Sequence, residues 1–132
     1  MVSLDISKAF DRVWHRGLLA KLPIFGLPSC LITLIESFLT DRSIAVRIYG
    51  KLSTAHHINA GVPQGSVLSP VLFLMYIDDL LESLNCQVHS YADDTYLSSS
   101  HVNLSTTSLH ETRLQSSRLL NDNLNVVSNW GI

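Results

Sequence analysis

The chain has few charged residues and no long apolar segment. Only 15% of its 132 residues are charged, and 46% are hydrophobic; typical globular proteins contain about 25% charged residues. The longest unbroken apolar run, residues 71–77, is far shorter than the roughly 18 residues of a membrane span. These figures exclude a disordered tail and a transmembrane protein. The length allows one domain, and the low charge predicts a piece of a larger protein whose surface other segments cover.

Signals for secretion and disulfide formation are also missing. The first ten residues, MVSLDISKAF, contain neither the basic start nor the apolar stretch of a signal peptide. Cys30 and Cys86, the two cysteines, lie 56 positions apart and form no CxxC pair. We therefore expect reduced cysteines in an intracellular protein that has no membrane partner. The pattern favours neither the nucleus nor the cytoplasm.

Basic residues are absent from the middle of the chain. Residues 52–112 contain six acidic residues and no lysine or arginine, whereas residues 1–51 hold seven of the nine basic residues and a net charge of +3. A nucleic-acid-binding protein normally presents a basic face, and this sequence predicts none of any size. If the chain handles phosphates, bound metal ions or other segments must supply the positive charge.

The apolar pattern predicts an α+β fold with an antiparallel sheet. Strands are predicted at residues 2–6, 43–49, 53–59 and on both sides of Asp93-Asp94. Helices are predicted at residues 16–25, 30–39, 68–84 and 107–129, with Ser29 as the N-cap of the second. Apolar stripes are predicted on the second helix (Leu31, Leu34, Ile35 and Phe38, widened by Ile32 and Leu39) and on the last (Leu120, Leu124, Val127, Trp130). Residues 98–108, rich in serine and threonine, are predicted to be a solvated linker.

Two pairs of adjacent aspartates could contribute to a metal site, and their contexts differ. Asp78-Asp79 lies in an apolar helical segment. Neighbouring helix residues point about 100° apart, so this pair is predicted to be a polar helix edge. Asp93-Asp94 lies where a hairpin turn is predicted, and two adjacent carboxylates repel each other unless a cation neutralises them. The alternative is a plain surface turn.

Asp5 ends an apolar strand and could complete a site of three carboxylates if that strand lies beside the hairpin. Oxygen ligands suit Mg²⁺, which completes its shell with water and substrate phosphates. Two such ions about 3.5–4 Å apart support phosphoryl transfer, one activating a 3′-hydroxyl and the other stabilising pyrophosphate. The sequence therefore predicts a site for two Mg²⁺ ions at Asp5, Asp93 and Asp94, where Mn²⁺ can substitute.

Three segments, LDISKAFDRVWH, AGVPQGSVLSPVLF and YADD, follow one another along the chain. They resemble successive palm motifs of reverse transcriptases, especially those of non-LTR (LINE-type) retrotransposons of the Jockey-like branch. The resemblance implies an RNA-directed DNA polymerase palm, with helices packed on one face of its sheet, that acts on an RNA template, a DNA primer and dNTPs. It implies that Asp5, Asp93 and Asp94 are catalytic metal ligands.

The same resemblance implies substrate contacts for five further residues. Phe10 matches the steric gate that excludes a 2′-hydroxyl, although a plain core aromatic is the alternative. Gln64 and Gly65 match the loop over the incoming nucleotide, and Tyr91 and Ala92 match positions under the primer end. Asp11, Arg12, Trp14 and His15 also fit the family wording and are predicted to serve helix initiation and packing.

The resemblance implies that residues 1–132 are a partial reverse transcriptase domain that lacks fingers, thumb and endonuclease. We therefore expect the isolated chain to be inactive and to self-associate through uncovered apolar faces. Two alternatives stay open at this point. One is a non-catalytic transposon remnant or interaction fragment, and the other is a group II intron or other bacterial-type reverse transcriptase, which the wording KAFDRVWH makes less favoured.

Overall fold

The computed structural model of the chain describes residues 1–99 and 109–130. Their contacts separate two compact units. Unit 1 consists of Met1–Ser7 and the described part of Ile77–Ile132, and unit 2 consists of Lys8–Tyr76. Helices and antiparallel strands occur together, which confirms the α+β prediction. No helix within the described ranges is both long enough and apolar enough to cross a membrane.

Unit 1 contains a three-stranded antiparallel sheet in the order β1-β7-β6. Its strands are β1 (Val2–Asp5), β6 (Gln87–Tyr91) and β7 (Asp94–Ser98). Alternate residues of β7 are buried and exposed, because successive side chains of a strand point to opposite faces. The sheet therefore has one buried face, which holds Thr95 and Leu97, and one exposed face, which holds Asp94 and Tyr96.

Two helices contribute to unit 1. Helix α3 (Ser69–Glu82) begins in unit 2 and continues into unit 1, and helix α4 (Leu109–Asn129) lies within unit 1. The stripe predicted on α4 is half-buried, as expected, but a polar residue lies at its centre. Asn123 is 2% exposed and accepts a hydrogen bond from the Asn85 N–H at 2.7 Å. Residues 100–108, most of the predicted linker, lie outside the described residues.

Unit 2 begins with helices α1 (His15–Lys21) and α2 (Ser29–Leu39), which pack on each other. The prediction of Ser29 as the N-cap was wrong, because Pro28 is the extended residue before the helix and Ser29 is already helical. The stripe prediction was wrong for Leu31 and Leu34, which are 44% and 59% exposed. The buried residues of α2 are Ile35 and Leu39, and both belong to the predicted stripe.

A long β-hairpin follows in unit 2, as predicted, but it is divided into two short ladders. Strand β2 (Arg42–Ile44) pairs with β5 (His56–Ile58), and β3 (Arg47–Ile48) pairs with β4 (Lys51–Leu52). The turn is Tyr49-Gly50, with φ of 48° and 79°, so residue 49 belongs to the turn and not to the predicted strand 43–49. Two positive φ angles match the type I′ turn, whose twist fits a hairpin.

Candidate active site

The strand that ends at Asp5 lies directly beside the hairpin that carries the second aspartate pair. Strand β1 pairs with β7 so that Asp5 is opposite Asp94, and β6 places Tyr91 on the other side of Asp94. Both carboxylates lie on the exposed face of the sheet, and Tyr91 is 84% exposed. The adjacency that the sequence analysis required of these strands is confirmed.

The ladder geometry brings the two opposed carboxylates close together. Tyr91 and Asp94 close a two-residue turn and are therefore a hydrogen-bonded pair, so Asp94 and Asp5 form the non-hydrogen-bonded kind of pair. In such pairs the Cα atoms are about 4.5 Å apart and the side chains approach most closely. Among the described residues, no lysine or arginine forms an ion pair with Asp5, Asp93 or Asp94. Within the described part of the chain, no cationic side chain therefore neutralises this opposed pair.

The turn of the β6–β7 hairpin consists of Ala92 and Asp93. Ala92 has a φ of 55°, in the left-handed region that costs an L-residue about 1–2 kcal/mol. Asp93 has no positive φ, so only the first of the two turn residues has one, which is the pattern of a type II′ turn. The Asp93 side chain is half-buried. Asp93 thus lies between the strands, next to the opposed pair but outside the ladder.

Asp5, Asp93 and Asp94 all offer carboxylate oxygens, which are the ligands that hard divalent cations prefer. Two of these carboxylates, Asp5 and Asp94, lie opposite each other in the sheet. The described residues contain no group of three or more histidine, cysteine, aspartate or glutamate side chains placed to hold a metal ion. The structure thus brings Asp5 and Asp94 together and leaves Asp93 beside them rather than gathered with them. Their assignment as metal ligands stays a prediction.

The other aspartate pair has the position expected of a helix edge. Asp78 and Asp79 lie in α3, where Asp78 is half-buried and Asp79 is exposed. The Asp79 carboxylate accepts a hydrogen bond from the Leu80 N–H at 2.9 Å. The prediction that this pair lies on a helix is confirmed.

The three residues predicted to contact the incoming nucleotide, Phe10, Gln64 and Gly65, lie in unit 2, and all of them line one cavity. This cavity has a volume of about 460 Å³ and is lined by Phe10, residues 64–67, Ser69 and Pro70. Phe10 is half-buried, and its ring packs on that of Phe73 with the centroids 4.9 Å apart. Phe10 is therefore both an aromatic of the core and part of the cavity wall.

The loop that contains Gln64 and Gly65 is fastened to the segment after β1. The N–H of Gly61 donates to the carbonyl of Val13, and the N–H of Val62 donates to that of Phe10, both at 2.8 Å. The ring of His15, which is 7% exposed, donates from Nε2 to the carbonyl of Gly61 at 2.7 Å. These contacts give His15 a more specific task than the helix initiation and packing predicted from the sequence.

Two glycines of this loop have conformations that other residues would find costly. Gly61 has a φ of +86°, and a Cβ at this position would lie 2.8 Å from the carbonyl oxygen of Asp11. Gly65 has a φ of +83° and open space around it. The first glycine therefore serves close packing, and the second serves the bend of the loop over the cavity.

One side-chain contact across the loop was missed by the sequence analysis. Gln64 Nε2 donates a hydrogen bond to Asp11 Oδ1 at 3.0 Å, although the residues are 53 positions apart. Nothing in the spacing of the sequence indicates this pair, because it depends on the path of the loop against the segment after β1.

The sequence model of the family described as "Reverse transcriptase (RNA-dependent DNA polymerase)" matches residues 1–130. The chain is 49% identical over 77 residues to the "Probable RNA-directed DNA polymerase from transposon X-element" of Drosophila melanogaster, covering 58% of this chain and 8% of that protein. It is 41% identical over 100 residues to the "RNA-directed DNA polymerase from mobile element jockey" of the same species, covering 70% of this chain and 11% of the relative.

A third relative is the "Retrovirus-related Pol polyprotein from type-1 retrotransposable element R2" of Popillia japonica, 36% identical over 110 residues. That match covers 74% of this chain and 18% of the relative. The chain thus spans less than a fifth of the length of each of these three relatives. The family match covers nearly the whole chain, and the relatives come from non-LTR elements, jockey among them. The chain belongs to the reverse transcriptase family.

Proposed function

We propose that the chain is the palm segment of an RNA-directed DNA polymerase in which Asp5, Asp93 and Asp94 hold two Mg²⁺ ions. The observation that supports this most strongly is the opposed pair of Asp5 and Asp94 on an exposed sheet face, with Asp93 in the adjoining turn. Like charges directly opposite each other destabilise a sheet. A bound divalent cation would remove this cost, and metal binding would explain why two carboxylates lie opposite each other.

Each of the proposed functional groups has a defined task. When bound, the metal ions activate the primer 3′-hydroxyl and stabilise the pyrophosphate leaving group. The carboxylates of Asp5, Asp93 and Asp94 hold the ions. The ring of Phe10, fixed on one side by Phe73, occupies the space of a 2′-hydroxyl. Gln64 offers an uncharged amide to the nucleotide.

The substrates and partners belong to a longer parent protein. They are an RNA template, a DNA primer and dNTPs, and the site for the primer end includes Tyr91 and Ala92. The chain alone covers only 8–18% of three relatives that are named as polymerases or polyproteins. Positioning supplies much of phosphoryl-transfer catalysis, so the isolated chain is expected to bind metal without extending a primer.

The first experiment is a Mn²⁺ titration of the purified 132-residue chain, with free Mn²⁺ counted by electron paramagnetic resonance. Asp5→Asn, Asp93→Asn and Asp94→Asn are each expected to weaken binding by more than about tenfold, or 1.4 kcal/mol. Asp78→Asn is the matched control, because it removes a carboxylate from α3 and is expected to leave binding unchanged. Circular dichroism confirms that every variant folds.

Two outcomes of this titration would count against the proposal. A folded wild-type chain that binds no Mn²⁺ would mean that the three carboxylates do not act together within this segment. Binding that is lost in Asp78→Asn but kept in Asp93→Asn would mean that the wrong aspartate pair has been assigned.

The polymerase activity itself is tested in a chimera. The jockey polymerase would carry this chain in place of its own matching 100 residues. Primer extension is expected from the chimera and is expected to disappear when Asp93→Asn is added. A chimera that folds and binds template-primer but extends nothing would favour the alternative of a non-catalytic remnant.

The role of Phe10 is tested in the same chimera. Phe10→Val replaces the ring with a smaller side chain and leaves room for a 2′-hydroxyl. The incorporation of rNTP relative to dNTP is therefore expected to rise. Because Phe10 also packs on Phe73, Phe73→Leu is the control for a general loosening of the core. If sugar selectivity is the same in Phe10→Val and in the parent chimera, the gate assignment is wrong.

Uncovered apolar side chains support the expectation that the isolated chain self-associates. Leu34 on α2 is 59% exposed, and Ile48 and Leu52 on the hairpin are 61% and 62% exposed. Analytical ultracentrifugation is expected to show an association that depends on concentration. Leu34→Glu or Ile48→Glu is expected to reduce it, and a monomeric wild-type chain at all concentrations would contradict the expectation.

A further inference from the structure

The proposed nucleotide loop contacts a carboxylate that the proposed function does not use. We propose that Asp11 is a positioning residue that fixes the orientation of the Gln64 amide through the hydrogen bond from Nε2 to Oδ1 at 3.0 Å. The inference deepens the proposed function and rests on it, because there Gln64 is the group that faces the incoming nucleotide. The sequence analysis predicts only helix initiation and packing for Asp11.

Gln64 separates two cavities of unit 2. The first, of about 460 Å³, is lined by Phe10 and the predicted nucleotide loop. The second, of about 540 Å³, is lined by Gln64 together with Asp11 and Arg42 among other residues. Asp11 therefore reaches Gln64 from the second cavity, and any effect on a nucleotide in the first is exerted through the amide.

Both partners of the hydrogen bond are held in place by their backbones. The N–H of Asp11 donates to the carbonyl of Lys8 at 3.0 Å within the 3₁₀ turn Ala9–Arg12. The loop that carries Gln64 is joined to the neighbouring Phe10 carbonyl through Val62 at 2.8 Å. Gly61 packs directly against the backbone of Asp11, where no larger residue fits. The distance between the two side chains is thus set by the fold.

The chemistry of the two groups makes the contact directional. An ionised carboxylate only accepts hydrogen bonds, whereas a glutamine amide has a donor end and an acceptor end. Asp11 therefore selects the orientation in which Nε2 faces the second cavity. The second N–H and the Oε1 of Gln64 then have one defined direction for a ligand, instead of two that exchange by rotation of the amide.

The contact is tested first without any nucleotide, in ¹⁵N-labelled chain. The side-chain NH₂ resonances of Gln64 are expected to differ from those of exposed Gln115, which serves as the internal reference. Asp11→Leu removes the acceptor and is expected to move the Gln64 resonances to the Gln115 position. Asp11→Asn keeps an acceptor but adds a donor, so it is expected to move them only part of the way. Glu36→Leu, which removes an exposed carboxylate from α2, is the matched control.

The effect of this contact on nucleotide affinity is tested by titrating dTTP with Mg²⁺ into the same samples. Asp11→Leu is expected to raise the dTTP Kd about tenfold, the size of one hydrogen bond to a charged group. Asp11→Asn keeps an acceptor but is neutral and can also donate, so it is expected to give a Kd between those of the wild type and Asp11→Leu. In a Gln64→Leu chain the further change Asp11→Leu is expected to add nothing, because Asp11 acts only through the amide.

The outcomes separate this inference from the proposed function. Gln64 resonances that stay in place in folded Asp11→Leu overturn the inference, and so does a dTTP affinity that falls equally with and without Gln64. A wild-type chain that binds no dTTP counts against the proposed function, while the spectra without nucleotide still decide the role of Asp11. If Asp11→Leu fails to fold, Asp11→Ala removes the same acceptor with a smaller side chain and is expected to have the same effect.

Discussion

The two units of the molecule differ in charge as much as in architecture. Unit 1, residues 1–7 and 77–132, contains eight acidic and two basic residues and has a net charge of −6. Unit 2, residues 8–76, contains three acidic and seven basic residues and has a net charge of +4. The overall charge of −2 conceals this division. The proposed metal ligands lie in the acidic unit, and the proposed nucleotide contacts lie in the basic one.

The units also position their proposed functional groups by different means. Unit 1 uses the regular register of a sheet, in which the pairing of β1 with β7 alone places Asp5 opposite Asp94. Unit 2 uses an irregular loop that is held by individual hydrogen bonds, such as that of His15 to Gly61. A site built on a ladder depends on strand packing, whereas a site on a loop depends on a few specific contacts.

The largest effect is expected from breaking the sheet of unit 1. Leu97 is fully buried, and Leu97→Ala is expected to lower the free energy of unfolding by about 2–5 kcal/mol, from lost burial and the cavity left behind. Its neighbour Tyr96 is 38% exposed on the other face, so Tyr96→Ala is the matched control and is expected to cost much less. Urea unfolding measures both, and similar losses would contradict the division of this sheet into two faces.

The corresponding test in unit 2 concerns the loop. Gly61→Ala is expected to cost about 2–4 kcal/mol, because the positive φ costs an L-residue about 1–2 kcal/mol and the new Cβ collides with Asp11. Gly26→Ala is the matched control, since Gly26 has a φ of +70° but open space around it. Urea unfolding of Gly61→Ala and Gly26→Ala separates the free-energy cost of the positive φ from the cost of the collision with Asp11. Equal losses would mean that the close approach to Asp11 contributes nothing.

Elements of regular period were predictable from the sequence. The β-prone residues on both sides of Asp93-Asp94 and the apolar length of α3 indicated strands and a helix, and so separated Asp93-Asp94 from Asp78-Asp79, although the turn lies one residue earlier than predicted, at Ala92 and Asp93. The stripe of α4 was also predictable, because helical spacing alone defines it. The motifs added the family, which the comparisons confirm.

Features that depend on tertiary contacts were not predictable. The exposure of Leu31 and Leu34 depends on which side of α2 faces the rest of unit 2, and a wide apolar stripe leaves that choice open. The contact of Asp11 with Gln64 depends on the path of a loop 53 positions away. Neither local propensity nor spacing contains this information, so the sequence predicted generic roles for these residues.

The hairpin turn of unit 1 offers a smaller test. Ala92 has a φ of 55°, which glycine adopts without steric cost, so Ala92→Gly is expected to stabilise the chain by about 0.5–1 kcal/mol. Ala55 in the hairpin of unit 2 is exposed and has no positive φ, so Ala55→Gly is expected to destabilise slightly. The opposite signs are measured by thermal unfolding. A loss of stability in Ala92→Gly would mean that the turn is not strained.

The smallest effect on stability is expected at the opposed carboxylates, and it connects the architecture of unit 1 to its proposed function. Without metal, Asp94→Asn removes the repulsion between Asp5 and Asp94 and is expected to stabilise the chain by about 0.2–1 kcal/mol. Added salt screens exposed charges, so the gain is expected to shrink at high ionic strength.

With Mn²⁺ present, the wild-type chain is expected to be more stable than Asp94→Asn, which is the reverse of the order without metal. A ligand that binds only the folded state stabilises it, so the wild-type chain gains stability that Asp94→Asn has lost, whereas Asp78→Asn behaves like wild type in both conditions. Thermal unfolding in EDTA and in Mn²⁺ gives all of these values in one series. If Asp94→Asn is less stable than wild type in EDTA, the carboxylate contributes to folding without metal. The opposed pair would then no longer argue for a metal site, and the proposal would depend on the Mn²⁺ titration alone.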